Sequence, residues 1–154
     1  MSKKLREKLR EGIIVFDVDG VLASYEFGEN CHYAPVWEEA FLSAEDNPYR
    51  KVSPLPVFQQ FIHTMKKENV YVCSVAAEFE FEGKRNFVLR NYDILEENII
   101  FVESKAQKLQ ALREIEKKTG AEQIAIVDDT VKTLDNIYDN SNFLTVHVSS
   151  FFDN

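Results

Sequence analysis

The chain has little cysteine, glycine or proline. Among its 154 residues there are two Cys, five Gly and four Pro. Cys31 and Cys73 lie in different segments without a CxxC spacing, so the sequence predicts neither a disulfide framework nor a thiolate zinc site. The low Gly and Pro content and the 45% hydrophobic content argue against a fibrous or mostly disordered chain.

Long apolar runs are also missing. The longest span about six residues, against the roughly 20 that a membrane-spanning helix needs. The N-terminal residues carry charges where a signal peptide would have its apolar region. We therefore expect a cytoplasmic protein with no membrane association.

Positive charge is in deficit. Eighteen basic residues against 26 acidic ones give a net charge of −8, and the one basic cluster lies within residues 3–10. Such a balance argues against a surface that neutralises many phosphates of DNA or RNA, so no nucleic-acid partner is expected. The length predicts a single domain over residues 1–154.

Five short β-branched and apolar runs are typical of strands buried on both faces. Between most of them lie stretches with helical periodicity. Such alternation predicts an α/β fold with an open parallel five-stranded sheet, Rossmann-like, and helices on both faces. The predicted strands are Ile13 to Phe16, Val70 to Val75, Ile99 to Val102, Ile124 to Val127, and Phe143 to Val148.

The segment 24–53 interrupts this alternation. It is too long for a simple strand-to-helix loop and too short for a separate domain, so we interpret it as a small insertion with a helix near Val36 to Ala44. Its aromatic residues either pack locally or contact substrate. They are Tyr25, Phe27, Tyr33, Trp37, Phe41 and Tyr49.

Acidic residues follow two of the predicted strands. Asp17 and Asp19 come directly after the first, while Asp128 and Asp129 end the fourth. Ligands of open parallel sheets bind beyond the carboxyl ends of the strands, so we expect these acids to converge. Clustered carboxylates repel one another unless a cation lies among them, and Mg²⁺ prefers such oxygen ligands.

These acids have other possible interpretations. Asp17 to Gly20 could be only a turn after a strand, and Asp128 or Asp129 could cap the next helix. An EF-hand loop is excluded, because Gly20 is the fourth residue from Asp17 and the twelfth is Gly28 rather than Glu. A glycosyltransferase-type metal site would leave the second acidic pair unexplained.

Two further polar residues are expected at the same edge of the sheet. Ser74 lies at the end of the second predicted strand, and Lys105 follows the third by three residues. A metal, a hydroxyl donor and a lysine suit a phosphoryl group, while a carboxylate can serve as the covalent acceptor. Lys108 lies one helical turn further on and competes for the lysine role, but we favour Lys105.

The order Asp17-Val18-Asp19, Ser74, Lys105, Asp128-Asp129 resembles that of the haloacid dehalogenase-like (HAD) superfamily. The resemblance implies that Asp17 attacks phosphorus and that Asp19 exchanges protons with the leaving group and water. It implies that Ser74 and Lys105 bind the phosphoryl oxygens. It also implies a Mg²⁺ site formed by Asp17, the backbone carbonyl of Asp19, Asp128 and Asp129.

The resemblance, which extends loosely to small nucleotidase-like members, predicts a small-cap or capless enzyme. We expect a Mg²⁺-dependent phosphomonoester hydrolase acting through an aspartyl-phosphate on a small phosphorylated metabolite, for example a nucleotide. Two alternatives stay open: phosphate transfer to an acceptor other than water, and a catalytically idle HAD-like module that binds a partner. The sequence does not determine the oligomeric state.

Overall fold

The computed structural model describes residues 1–24, 34–42 and 47–152, with the side chains of 34–37 left aside. Its strands are β1 Ile13–Phe16, β2 Ala23–Ser24, β3 Ser53–Pro54, β4 Val70–Val75, β5 Ile99–Val102, β6 Ile124–Asp128 and β7 Leu144–His147. Its helices are α1 Lys3–Glu11, α2 Ala34–Leu42, α3 Pro56–His63, α4 Phe81–Asn91, α5 Lys108–Thr119 and α6 Val131–Asn140.

Five strands form one open parallel sheet in the order β5-β4-β1-β6-β7. The chain passes outward from β1 through β4 to β5, then crosses to the other side of β1 to form β6 and β7. The strand order therefore reverses beside β1, which is where ligands bind in open α/β sheets. The predicted α/β fold class is confirmed.

Alternate residues of β1 enter two separate hydrophobic cores. Ile14 and Phe16 pack with one core, which α1, α3 and α4 cover, and Ile13 and Val15 pack with the other, which α5 and α6 cover. All four side chains are buried because helices lie on both faces of the sheet. This two-sided burial explains why the strand appears in the sequence as a continuous apolar run.

Two of the glycines that the structure describes have the left-handed conformation that side chains disfavour. Gly120 ends α5 with φ of +67°, as expected for a helix C-cap, and open space surrounds it. Gly20 follows the first acidic pair with φ of +77°.

The two ends of the predicted insertion lie side by side. Ala23 pairs with Pro54 and Ser24 with Ser53 in the antiparallel ribbon of β2 and β3. The helix expected near Val36 to Ala44 is α2. Tyr25, Phe27 and Tyr33 lie outside the described residues, as does the side chain of Trp37, so their expected role stays a prediction.

None of the helices in the described part of the chain combines the length and apolar character that crossing a bilayer requires.

Candidate functional site

Three carboxylates meet where β1 and β6 end. The strands pair directly, and the Asp17 amide donates to the Val127 carbonyl at 3.0 Å. Asp17, Asp128 and Asp129 each present a carboxylate oxygen within 4.8 Å of the others. The expected convergence is thus observed for three of the four acids, and it follows from the parallel register of the two strands.

Lys108 neutralises part of this charge from beneath. Its side chain is 1% exposed, and its ammonium donates to Asp128 Oδ2 at 2.6 Å and lies 3.2 Å from Asp17 Oδ2. The preference for Lys105 as the lysine beside Asp17 was therefore wrong. Lys105 is exposed, and its ammonium donates to Thr130 Oγ1 at 3.1 Å, although it lines the same cavity.

The difference between the two lysines comes from the start of the helix. Lys105 lies in a single 3₁₀ turn, whereas Lys108 opens α5. Lys108 shares the buried stripe of α5 with Ala111, Leu112 and Ile115, which are three, four and seven residues further on. That spacing is visible in the sequence and could have identified Lys108 as the inward-facing lysine.

Burial and the charges of neighbouring side chains shift the pKa values of the acids and of Lys108 at this site. Burial, together with the charges of Asp128 and Asp19, raises the pKa of Asp17 from 3.8 to about 6 against the opposing effect of Lys108. Burial and the Asp128 charge also raise the pKa of Asp129. Burial alone would lower the pKa of Lys108, but Asp17 and Asp128 outweigh it and raise that pKa.

Gly20 allows the loop after β1 to pass close to Asp129. A Cβ atom at position 20 would overlap Asp129 Oδ2, and the positive φ of Gly20 disfavours any other residue there. The glycine of the Asp-x-Asp-Gly sequence therefore has a steric function at the site as well as a conformational one.

The carboxylate of Asp19 is held apart from the three-acid group. The Tyr49 hydroxyl donates a hydrogen bond to Asp19 Oδ1 at 2.7 Å, and the Lys84 ammonium donates one to Asp19 Oδ2 at 2.7 Å. Neither donor was predicted from the sequence. Lys84 precedes Phe87 and Val88 by three and four residues in the buried stripe of α4, a detectable signal, whereas no local pattern identifies Tyr49.

Ser74 lies at the end of β4 where it was expected, and it has an unusual surrounding. Its side chain is fully buried, and among the described residues its hydroxyl has no hydrogen-bond partner. It lines a cavity of about 340 Å³ together with Asp17, Asp19, Lys105 and Asp129. Because an unsatisfied buried hydroxyl is costly, this atom indicates a place for a ligand oxygen.

The oxygen atoms of the site differ in how far they are already engaged. Asp128 Oδ2 accepts from Lys108, and its Oδ1 accepts from the Thr130 amide at 2.8 Å. Asp17 is engaged as well, since its Oδ1 accepts from the Val18 amide at 2.8 Å and its Oδ2 lies near Lys108. Asp17 and Asp129 line the cavity, however, whereas Asp128 lies behind it and mainly holds Lys108, so Asp17 and Asp129 are better placed to ligate a cation there. A ligand role for the Asp19 backbone carbonyl stays a prediction.

No protein-family model matches the chain, and no curated protein sequence matches it. Among solved structures it is similar to one titled "Structure of DsGPDH of Dunaliella salina", with a TM-score of 0.58 and 16% sequence identity. The match covers 92% of this chain and 25% of that one, so the chain spans about a quarter of that protein's length. At this identity the similarity concerns the fold, an open α/β sheet of Rossmann type.

Proposed function

We propose that the chain is a Mg²⁺-dependent phosphomonoester hydrolase of the HAD type, with Asp17 as the nucleophile. The observation that carries the proposal is the Ser74 hydroxyl, which is buried in the same cavity as the converging acids and has no hydrogen-bond partner among the described residues. A phosphoryl oxygen would satisfy that hydroxyl, and Lys105 lines the same cavity with a positive charge. The order of the motif residues along the chain, which resembles that of the HAD superfamily, supports the same chemistry.

The charges around the cavity support a divalent cation. The cavity-lining acids Asp17, Asp19, Glu80 and Asp129, with Asp128 behind them, face the ammonium groups of Lys84, Lys105 and Lys108. Counted over the described residues, these five carboxylates and three ammonium groups leave a net charge of −2 when all are ionised. One Mg²⁺ balances this charge, and a hard cation prefers such oxygen ligands.

Asp17 and Asp129, with the backbone carbonyl of Asp19, would hold the ion. When bound, Mg²⁺ neutralises the phosphoryl oxygens, which is its usual contribution to phosphoryl transfer.

The protein's own groups then carry out two displacements. In the first, which begins with Asp19 in its protonated form, a carboxylate oxygen of Asp17 bonds to phosphorus, the ester P–O bond breaks, and the carboxyl group of Asp19 gives its proton to the leaving oxygen. In the second, the Asp19 carboxylate takes a proton from water as the water oxygen bonds to phosphorus. The bond between phosphorus and Asp17 breaks, and inorganic phosphate leaves.

Hydrolysis of p-nitrophenyl phosphate tests the proposal. We expect turnover by the unaltered protein with Mg²⁺, none with EDTA, and losses of at least about 100-fold in Asp17→Asn and Asp19→Asn, the scale usual for catalytic groups. Asp93→Asn is the matched control, because Asp93 lies outside the cavity and contacts His63 and Lys67.

The outcomes separate the open alternatives. Turnover that survives in Asp17→Asn would remove the proposed nucleophile. A Mg²⁺-loaded protein that fails to hydrolyse a panel of phosphate esters would favour the binding module. Release of p-nitrophenol with less inorganic phosphate, in the presence of an added alcohol, would favour transfer to an acceptor other than water.

A further inference from the structure

Both oxygens of the Asp19 carboxylate are held by side chains distant in sequence. Lys84 and Tyr49 each place a donor atom 2.7 Å from one of them. Asp19 itself is 26% exposed and lines the cavity, whereas both donors are fully buried. The carboxylate is thus fixed from behind while it faces the cavity.

The Lys84 ammonium has further contacts that hold it in place beside Asp19. Its ammonium also donates to the Val75 carbonyl at the end of β4, at 2.8 Å, and lies 5.7 Å from the centre of the Tyr49 ring. A buried ammonium is costly unless it is paired, so Lys84 and Asp19 constrain each other. The pair links α4 to the loop after β1.

Tyr49 reaches Asp19 from the single turn Pro48–Arg50, where the chain returns from the insertion. The Tyr49 amide donates to Asn47 Oδ1 at 2.9 Å. A Cβ atom at position 83 of α4 would lie 2.5 Å from Asn47 Nδ2, so Gly83 allows the segment before the turn to pack directly on α4. This close packing holds the turn that carries Tyr49 against α4, the helix that carries Lys84.

We propose that Lys84 and Tyr49 are positioning residues that hold the Asp19 carboxyl group toward the cavity for proton exchange. The proposal rests on the phosphatase function proposed above. A carboxyl group that rotates away from the leaving oxygen cannot protonate it, and acid catalysis depends strongly on such geometry. A purely structural ion pair would instead affect only the stability of the fold.

The test compares two substrates that differ in their need for an acid. p-Nitrophenolate leaves without a proton, whereas the alkoxide of ethyl phosphate needs one. We expect Tyr49→Phe and Lys84→Met to lower kcat/KM for ethyl phosphate about 10-fold or more beyond their effect on p-nitrophenyl phosphate. The parameter kcat/KM reports on the first displacement alone, and in that displacement Asp19 acts as the acid.

Tyr92→Phe is the matched control for Tyr49→Phe. The Tyr92 hydroxyl is also buried, but it donates to the Leu22 carbonyl and accepts from the Leu55 amide. The Tyr92→Phe substitution should change thermal stability without changing the ratio of kcat/KM for ethyl phosphate to kcat/KM for p-nitrophenyl phosphate. If Lys84→Met does not fold, Tyr49→Phe, which removes only one oxygen, decides the question.

Equal losses for both substrates, or none, in a folded Tyr49→Phe would overturn the positioning role while leaving the phosphatase proposal intact. An unaltered protein that hydrolyses neither ester with Mg²⁺, or an Asp17→Asn variant as active as the unaltered protein, would overturn both proposals.

Discussion

Replacing Asp17 by Asn should stabilise the metal-free protein, although Asp17 is the proposed nucleophile. Asn has nearly the shape of a protonated Asp, so the variant represents Asp17 without its charge. Burial raises the pKa of the native carboxyl from 3.8 to about 6. The folded protein therefore binds the proton more tightly than the unfolded chain, and ionisation of Asp17 opposes folding.

The magnitude follows from that pKa. At about 1.36 kcal/mol per pKa unit, full ionisation of Asp17 costs the folded state about 3 kcal/mol. The cost is absent below pH 3.8, grows as the pH rises, and is complete above about pH 6. Asp17→Asn should therefore exceed the unaltered protein in free energy of unfolding by about 3 kcal/mol at pH 8 and by roughly half of that at pH 5.

Urea unfolding followed by circular dichroism measures this difference, with EDTA present. Added Mg²⁺ should then stabilise the unaltered protein and not the variant, so the gap at pH 8 should narrow. Asp128→Asn is the control of opposite sign, because its carboxylate accepts from Lys108 and the Thr130 amide. We expect it to lose about 1.5 to 3 kcal/mol. An Asp17→Asn variant less stable than the unaltered protein at pH 8 would refute the electrostatic reasoning.

Three other changes have definite expected outcomes. Ser74→Ala should raise the free energy of unfolding by about 1 kcal/mol, because it removes an unsatisfied buried hydroxyl, and it should weaken competitive inhibition by inorganic phosphate. A loss of stability would show that the hydroxyl has a partner. Gly20→Ala and Gly120→Ala should each cost about 1 to 2 kcal/mol for a left-handed backbone, but only Gly20→Ala should raise the Mg²⁺ concentration needed for half-maximal activity. In a Cys31→Ser variant, Cys73 should resist a thiol reagent at pH 8 and react fully in guanidinium, since burial raises its pKa to about 12; rapid labelling of the native variant would contradict its burial.

The strands were predictable because their ends are marked in the sequence. β1, β4 and β5 have the predicted bounds, while β6 extends one residue further, to Asp128, and β7 is one residue shorter at each end than the predicted run. Residues directly after such strands could be placed by the same reasoning. Asp17 and Ser74 therefore lie where the sequence placed them, since a strand end in a parallel sheet has a known position at the ligand-binding edge.

The helical residues of the site were harder to place. A choice between Lys105 and Lys108 needs the rotation of α5 about its axis, which depends on where the preceding 3₁₀ turn becomes an α-helix. Tyr49 was beyond local reasoning, because its position depends on how the chain returns after the insertion and packs on Gly83. The sequence could predict which aromatic residues the insertion contains but not which of them reaches the site.

The two buried lysines show how the fold concentrates charge beside β1. Lys84 lies on α4 and Lys108 on α5, and these helices cover opposite faces of the sheet. Each lysine interrupts an apolar stripe, so its stem packs within a core while its ammonium reaches the loop after β1 or the end of β6. Asp17 and Asp19, two residues apart, therefore have separate cationic partners from opposite sides of the sheet. In the proposed hydrolase, this separation would let Asp17 serve as nucleophile and Asp19 exchange protons without the two competing for a single lysine.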